Sequence, residues 1–134
     1  LIEFLQDELL LTGTLFALII LLIVNIYSEK FKKYEVVDTN GAVTLMDDDL
    51  IILDVREEKE RSAGFIDSDL NIPMGQVKNK LDSLDKSKKI LIYCKSGTRS
   101  DRIADLLCKN EFQNVYSLKG GFNAWQKAEL PIKK

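Results

Sequence analysis

Ile90-Leu91-Ile92-Tyr93-Cys94-Lys95-Ser96-Gly97-Thr98-Arg99-Ser100 joins a four-residue apolar run to a short polar loop, with a cysteine at the junction. An unbroken apolar run of that length reads as a strand buried on both faces, the mark of a parallel sheet. Beyond the loop, Ile103, Ala104, Leu106 and Leu107 recur at helical spacing within 100–110, which predicts a helix with one buried face. A tight loop closed by a helix start leaves backbone N–H groups without internal partners. They point inward, and the helix dipole adds partial positive charge there. That field favours thiolate over thiol, so Cys94 is expected to be a nucleophile near neutral pH. Gly97 supplies the backbone freedom of a tight cradle, and Lys95 and Arg99 supply cationic donors.

On either side of this stretch, short apolar runs alternate with helical patterns. Leu50-Ile51-Ile52-Leu53 is a second buried strand, Tyr34–Val37 a first strand, and 40–46 a short helix. Residues 57–63 form a short charged helix stopped by Gly64. Residues 70–72 form a short strand broken by Pro73, and 76–84 a further helix. Val115–Ser117 is a last strand, and 122–127 a last helix after Gly120-Gly121. Such alternation predicts an α/β fold, a parallel sheet flanked by helices on both sides. Ligands in these sheets bind beyond the carboxyl ends of the strands, where Asp54 and Cys94 fall.

The 134 residues leave room for one domain of about 100 residues and an appendage. A net charge of −2 argues neither for nor against a polyanionic partner, and no nucleic-acid partner is expected. The absence of histidine excludes Cys–His hydrolases, Ser–His–Asp triads and His-ligated metals. Two cysteines fourteen positions apart make neither a zinc site nor a disulfide framework, so no metal is expected. A free reactive thiol fits a reducing compartment. Asp47-Asp48-Asp49 reads as a solvated turn, and Cys108 as a packing residue rather than a resolving thiol.

The appendage is LLLTGTLFALIILLIVNIY, residues 9–27, nineteen positions without a charge. A helix of that length spans roughly the ~30 Å core of a bilayer. A cleavable signal peptide would want a basic start and small residues at a cleavage site. This chain offers Glu3, Asp7 and Glu8, and then Asn25-Ile26-Tyr27-Ser28. All 19 Lys and Arg lie beyond residue 27, and Lys30, Lys32 and Lys33 flank the run directly. The positive-inside bias therefore places the C-terminal part of the chain in the cytoplasm. The expected organisation is a tail at 1–8, a transmembrane helix at 9–27, a juxtamembrane linker at 28–33 and a catalytic domain at 34–134. The expected location is single-pass in a bacterial inner membrane. The first residue is Leu, which is compatible with a missing initiator Met or a few missing residues.

Nearly all of 34–134 resembles a single-domain rhodanese. The resemblance rests on Leu53-Asp54-Val55-Arg56-Glu57, on Gly64-Phe65-Ile66 running to Asn71-Ile72-Pro73, on Tyr93 to Ser100, and on Leu118-Lys119-Gly120-Gly121-Phe122-Asn123-Ala124-Trp125. It implies a sulfurtransferase without a cofactor. Cys94 would take the outer sulfur of a donor such as thiosulfate, becoming a persulfide, and pass it to cyanide, a thiol or a protein acceptor. Two departures stand out: Phe65 where the family often has His, and Ser68-Asp69 where it often has Gly-Ala.

The expected catalytic residues are Cys94, Arg99 and Asp54, with Lys95, Ser96, Gly97, Thr98, Ser100 and Arg56 lining the donor site. Arg99 suits an inward guanidinium that braces the cradle or binds an anion. Asp54, buried at a strand end, is expected to accept hydrogen bonds from loop groups. Arg56 has two readings: it reaches a donor's sulfonate, or it pairs with Glu57 or Asp54. Phe122 and Trp125 are expected to pack the last helix. A rhodanese-fold cysteine phosphatase or arsenate reductase is the rival activity, and a docking module at the membrane the non-catalytic one. The six residues from Cys94 to Arg99 favour sulfur transfer, because the phosphatase loop has seven and so a wider cradle.

Overall fold

The apolar run 90–93 becomes the middle strand of a five-stranded, all-parallel sheet. The computed structural model describes residues 1–30 and 33–134, the side chains of 28–30 excepted. It divides into two compact units, residues 1–32 and 33–134.

The first unit is the helix α1 (Ile2–Lys30), longer at both ends than the run 9–27. Its stretch Ile2–Tyr27 is long and apolar enough to cross a membrane. Of the linker expected at 28–33, residues 31–32 lie outside the described residues, as do the side chains of Ser28, Glu29 and Lys30.

The second unit holds β1 (Glu35–Val37), α2 (Thr39–Leu45), β2 (Ile51–Asp54), β3 (Leu70–Asn71), α3 (Met74–Val77), β4 (Ile90–Tyr93), α4 (Thr98–Lys109), β5 (Val115–Leu118) and α5 (Gly121–Lys127). The strands lie in the order β1-β5-β4-β2-β3. All four residues of β4 are buried, as a central parallel strand requires. Its side chains alternate between two apolar layers. Ile90 and Ile92 join Leu53, Val77, Ile103 and Leu107 on the side of α3 and α4. Leu91 and Tyr93 join Ala42, Ile52, Phe122 and Trp125 on the side of α2 and α5. Both faces are therefore covered by helices.

Three local expectations shift. The segment expected as a helix over 76–84 is one α-helical turn, α3, followed by 3-10 turns over Lys78–Ser83. Only Val77, Leu81 and Leu84 face the core there, too few to support a long helix, and the Ser83 hydroxyl donates back to Lys80 O at 2.6 Å. Glu58–Ala63 is likewise 3-10, opened by reciprocal bonds between Glu57 and Glu60 and closed by Gly64 at φ 126°. α4 starts at Thr98 rather than Ser100, because Gly97 adopts φ 107° and lets the helix begin at once.

Candidate active site

β4 delivers Cys94 to the carboxyl end of the sheet, where its side chain is buried at 1% exposure. The Gly97 N–H donates to Sγ at 3.0 Å and the Ser100 N–H at 3.4 Å, and the Ser100 hydroxyl lies 3.7 Å away. Two backbone donors at a helix start, aimed at one sulfur, stabilise negative charge on it.

The loop presents its N–H groups to the sulfur because its carbonyls are engaged behind it. Cys94 O accepts from the Phe122 N–H at 2.7 Å and Lys95 O from the Asn123 N–H at 3.0 Å, both in the first turn of α5. So close an approach needs Gly121: at φ 58°, a Cβ there would stand 2.4 Å from Cys94 O. In the sequence the pair Gly120-Gly121 marks only the start of a helix. The close approach of two backbones is the further signal that a glycine there carries.

Of the loop residues, Cys94, Gly97 and Ser100 converge, while Lys95, Ser96 and Thr98 lie toward the rim. Arg99 lies beside the sulfur, but its fork faces the 3-10 segment. Nη1 and Nη2 donate to the two carboxylate oxygens of Glu60 at 2.7 and 2.9 Å. That bond raises the Arg99 guanidinium pKa, with a smaller contribution from Cys94. It also holds the Glu60 carboxyl down at about 2. Glu60 was not among the expected residues, although the spacing Glu57-x-x-Glu60 marks a helix-opening box.

Asp54 and Arg56 meet each other. Asp54 accepts from the Arg56 N–H at 2.9 Å, as expected of a buried carboxylate. Arg56 Nη2 and Arg61 Nη1 each add a bond of 2.9 Å to it. Arg56 also donates to Gly64 O at 2.9 Å, and its Cζ lies 4.4 Å from the centre of the Phe122 ring. At 2% exposure this guanidinium is not free for a donor's sulfonate, so of its two readings the pair with Asp54 is the one the geometry holds.

The departure at Ser68-Asp69 also finds its place. Ser68 keeps a left-handed φ of 64°, and Asp69 accepts from Arg61 at 2.6 and 2.9 Å and from the Tyr93 hydroxyl. Burial first, and this carboxylate second, push the Tyr93 phenol up from its ordinary range.

Behind the sulfur, the Ser100 and Ser117 hydroxyls lie 2.9 Å apart, and Ser117 donates to Asp101 at 2.6 Å. Ser117 and Asp101 were not anticipated, since nothing in their own stretches marks them. Cys108 packs in the α4 layer, where burial raises its thiol pKa. Among the described residues no group of three His, Cys, Asp or Glu could hold a metal.

A parallel sheet with a cysteine cradled at the end of its central strand is a rhodanese architecture, and the chain belongs to the rhodanese-like domain family, whose model matches residues 39–128. It is similar to YqhL of Bacillus subtilis, at 39% identity over 74 residues, 55% of this chain and 59% of that one. The match thus spans less than two thirds of that relative. It is 35% identical over 78 residues to the thiosulfate sulfurtransferase GlpE of Coxiella burnetii, 58% of this chain and 73% of that one. Among solved structures, the rhodanese-related protein of Thermoplasma volcanium superposes with a TM-score of 0.67 at 25% identity, covering 75% of this chain and 98% of that one.

Proposed function

We propose that this protein is a membrane-anchored sulfurtransferase that moves sulfane sulfur from a donor such as thiosulfate to a thiophilic acceptor through a persulfide on Cys94. The observation that carries the reading is the pair of N–H donors, from Gly97 and Ser100, on the Cys94 sulfur within a six-residue loop.

The Cys94 thiolate attacks the outer sulfur of the donor. A new S–S bond forms, the donor's S–S bond breaks, and sulfite leaves with its electron pair when the donor is thiosulfate. A thiol or protein acceptor, or cyanide, then takes the outer sulfur, and Cys94 leaves as thiolate onto the same two amides. Arg99 offsets charge beside the sulfur. Lys95, Ser96 and Thr98 meet the donor at the rim, Gly97 and Ser100 form the cradle, and Asp54 with Arg56 holds the end of β2 in register with the loop. Similarity to the thiosulfate sulfurtransferase GlpE supports thiosulfate as donor class.

The anchor is Ile2–Tyr27, whose apolar side chains stand exposed, as lipid-facing ones do. Three lysines at 30, 32 and 33 favour a cytoplasmic domain.

The test is mass spectrometry of the full chain in detergent after treatment with thiosulfate. Cys94 is expected to gain one sulfur that cyanide removes, and Cys94→Ser to gain none there. A Cys94 that takes no sulfur from thiosulfate or from an organic persulfide overturns the proposal.

A further inference from the structure

A chain of three side chains leads away from the Cys94 sulfur. The Ser100 hydroxyl lies 3.7 Å from Sγ, the Ser117 hydroxyl on β5 lies 2.9 Å from that of Ser100, and Asp101 Oδ1 lies 2.6 Å from Ser117 Oγ. Both serines are fully buried, whereas Asp101 opens on a pocket that it shares with Arg102 and Lys119. An ionised carboxylate only accepts. Asp101 therefore takes the one hydrogen of Ser117, and Ser117 has only lone pairs left for Ser100. The Ser100 hydrogen goes to Ser117 Oγ or to Gly97 O, each 2.9 Å away, so its oxygen is what faces the sulfur. The contact at 3.7 Å thus runs from the thiol to Ser100, which suits Cys94 with its proton and opposes negative charge on Sγ. Turning the Ser100 hydrogen onto a charged sulfur would leave two hydroxyl oxygens lone pair to lone pair at 2.9 Å, unless Ser117 gave its own hydrogen to Ser100. Asp101 holds that hydrogen.

We infer that Asp101 is a positioning residue: through Ser117 it fixes the direction of the hydrogen-bond chain that ends on Cys94, and so denies the bare thiolate a third donor beside the Gly97 and Ser100 N–H groups. The inference rests on the proposed sulfur transfer and deepens it. Loading forms a bond from Sγ to the donor's outer sulfur and moves the negative charge onto that sulfur. An oxygen facing Sγ therefore weighs on the bare cysteine more than on the loaded one, so the chain favours the loaded form and slows its release. The other charged and titratable groups around the chain are Lys95 and Arg99 in the loop, with Glu60 on Arg99, then Arg102 and Lys119 in the pocket, and Tyr34, which faces Asp101 and Asp105. All of them are kept in the variants that test it.

The experiment follows the rate of iodoacetamide labelling at Cys94 against pH in the full chain in detergent, read by mass spectrometry of the Cys94 peptide so that Cys108 does not contribute. Iodoacetamide is uncharged, so a change of charge on the protein does not alter its approach. Wild type is compared with Asp101→Asn, Ser117→Ala and the double variant. An asparagine amide accepts or donates at nearly the same shape, so Asp101→Asn lets the chain reverse onto the sulfur. It is expected to move the labelling midpoint down by about one pH unit, the scale of one hydrogen bond to a charged group. With the chain cut in Ser117→Ala, adding Asp101→Asn is expected to move the midpoint by less than about 0.3 pH unit. On loaded protein, cyanide should remove the sulfur faster from Asp101→Asn than from wild type, since a stabilised thiolate leaves faster. An unchanged or raised midpoint in Asp101→Asn overturns the inference. So does a full shift that persists in the double variant, because charge acting through space needs no Ser117. Both results leave sulfur transfer standing. A Cys94 that shows the expected midpoints but takes no sulfur from thiosulfate or an organic persulfide overturns the sulfurtransferase reading, and with it the role given to the chain.

Discussion

One methyl group added at Gly121 would stand 2.4 Å from the Cys94 carbonyl oxygen and 2.7 Å from that of Lys95, with φ held at 58°. The α5 turn would have to withdraw and release the Phe122 and Asn123 N–H bonds that turn the loop's carbonyls away from the sulfur. Gly121→Ala is therefore expected to destabilise the fold by about 1–3 kcal/mol, as overpacking does, and to cut persulfide formation on Cys94. Urea denaturation and mass spectrometry read the two effects. Glu60 adds a pH dependence. Its carboxyl is lowered from 4.5 to about 2 by Arg99, so the native state holds its proton less tightly than the unfolded one. Its contribution to stability is complete above about 4.5 and fades as pH falls toward 2. The urea midpoints of wild type and Glu60→Gln should thus differ by a constant amount above about pH 5 and converge below it. At this scale Cys94, Gly97 and Ser100 were legible, because a loop of six residues leaves few places for its N–H groups to point. Glu60, Gly121, Asp101 and Ser117 were not, because each acts on a partner brought near only by the sheet.

The 3-10 segment Glu58–Ala63 shows how an element without a buried face is held. Its residues make no apolar layer. Arg61 ties it to Asp54 and Asp69, and Glu60 ties it to Arg99. Removing one partner from a buried ion group leaves the others uncompensated, at about 3–5 kcal/mol, whereas replacing both with apolar groups is often close to neutral. Arg61→Leu and Asp69→Ala are each expected to destabilise on that scale, and the double variant by less than the sum, measured as a double-mutant cycle in urea. Additive losses would mean that the two side chains act separately. The strands were readable because continuous apolar runs have few alternatives. The helix expected over 76–84 was not, since Val77, Leu81 and Leu84 suit a helical period without supplying the burial that would extend it.

At the scale of the whole molecule, a compact domain and an apolar helix were both legible from composition, for most of the charges and the long apolar run occupy separate parts of the chain. The bounds of the helix were not, because nothing in 2–8 breaks a helix that the run 9–27 would start. If α1 anchors the protein, membranes carrying the full chain should retain it through high salt and alkaline carbonate and release it only to detergent. Residues 33–134 made alone should be found in the soluble fraction. In sealed right-side-out vesicles, added protease should leave 33–134 intact, and its digestion there would reverse the orientation.

The sheet's edge has a consequence for how the protein is made. Among the described residues β1 pairs only with β5, Glu35 against Tyr116 and Val37 against Leu118, so the earliest strand of this sheet waits for its latest. Contacts that distant in sequence close slowly. A nascent chain stopped before Val115 has no partner for β1 and no turn of α5 to set the cysteine loop. The loop therefore acquires its backing only once α5 has been made, and reactivity cannot precede the folding of the sheet.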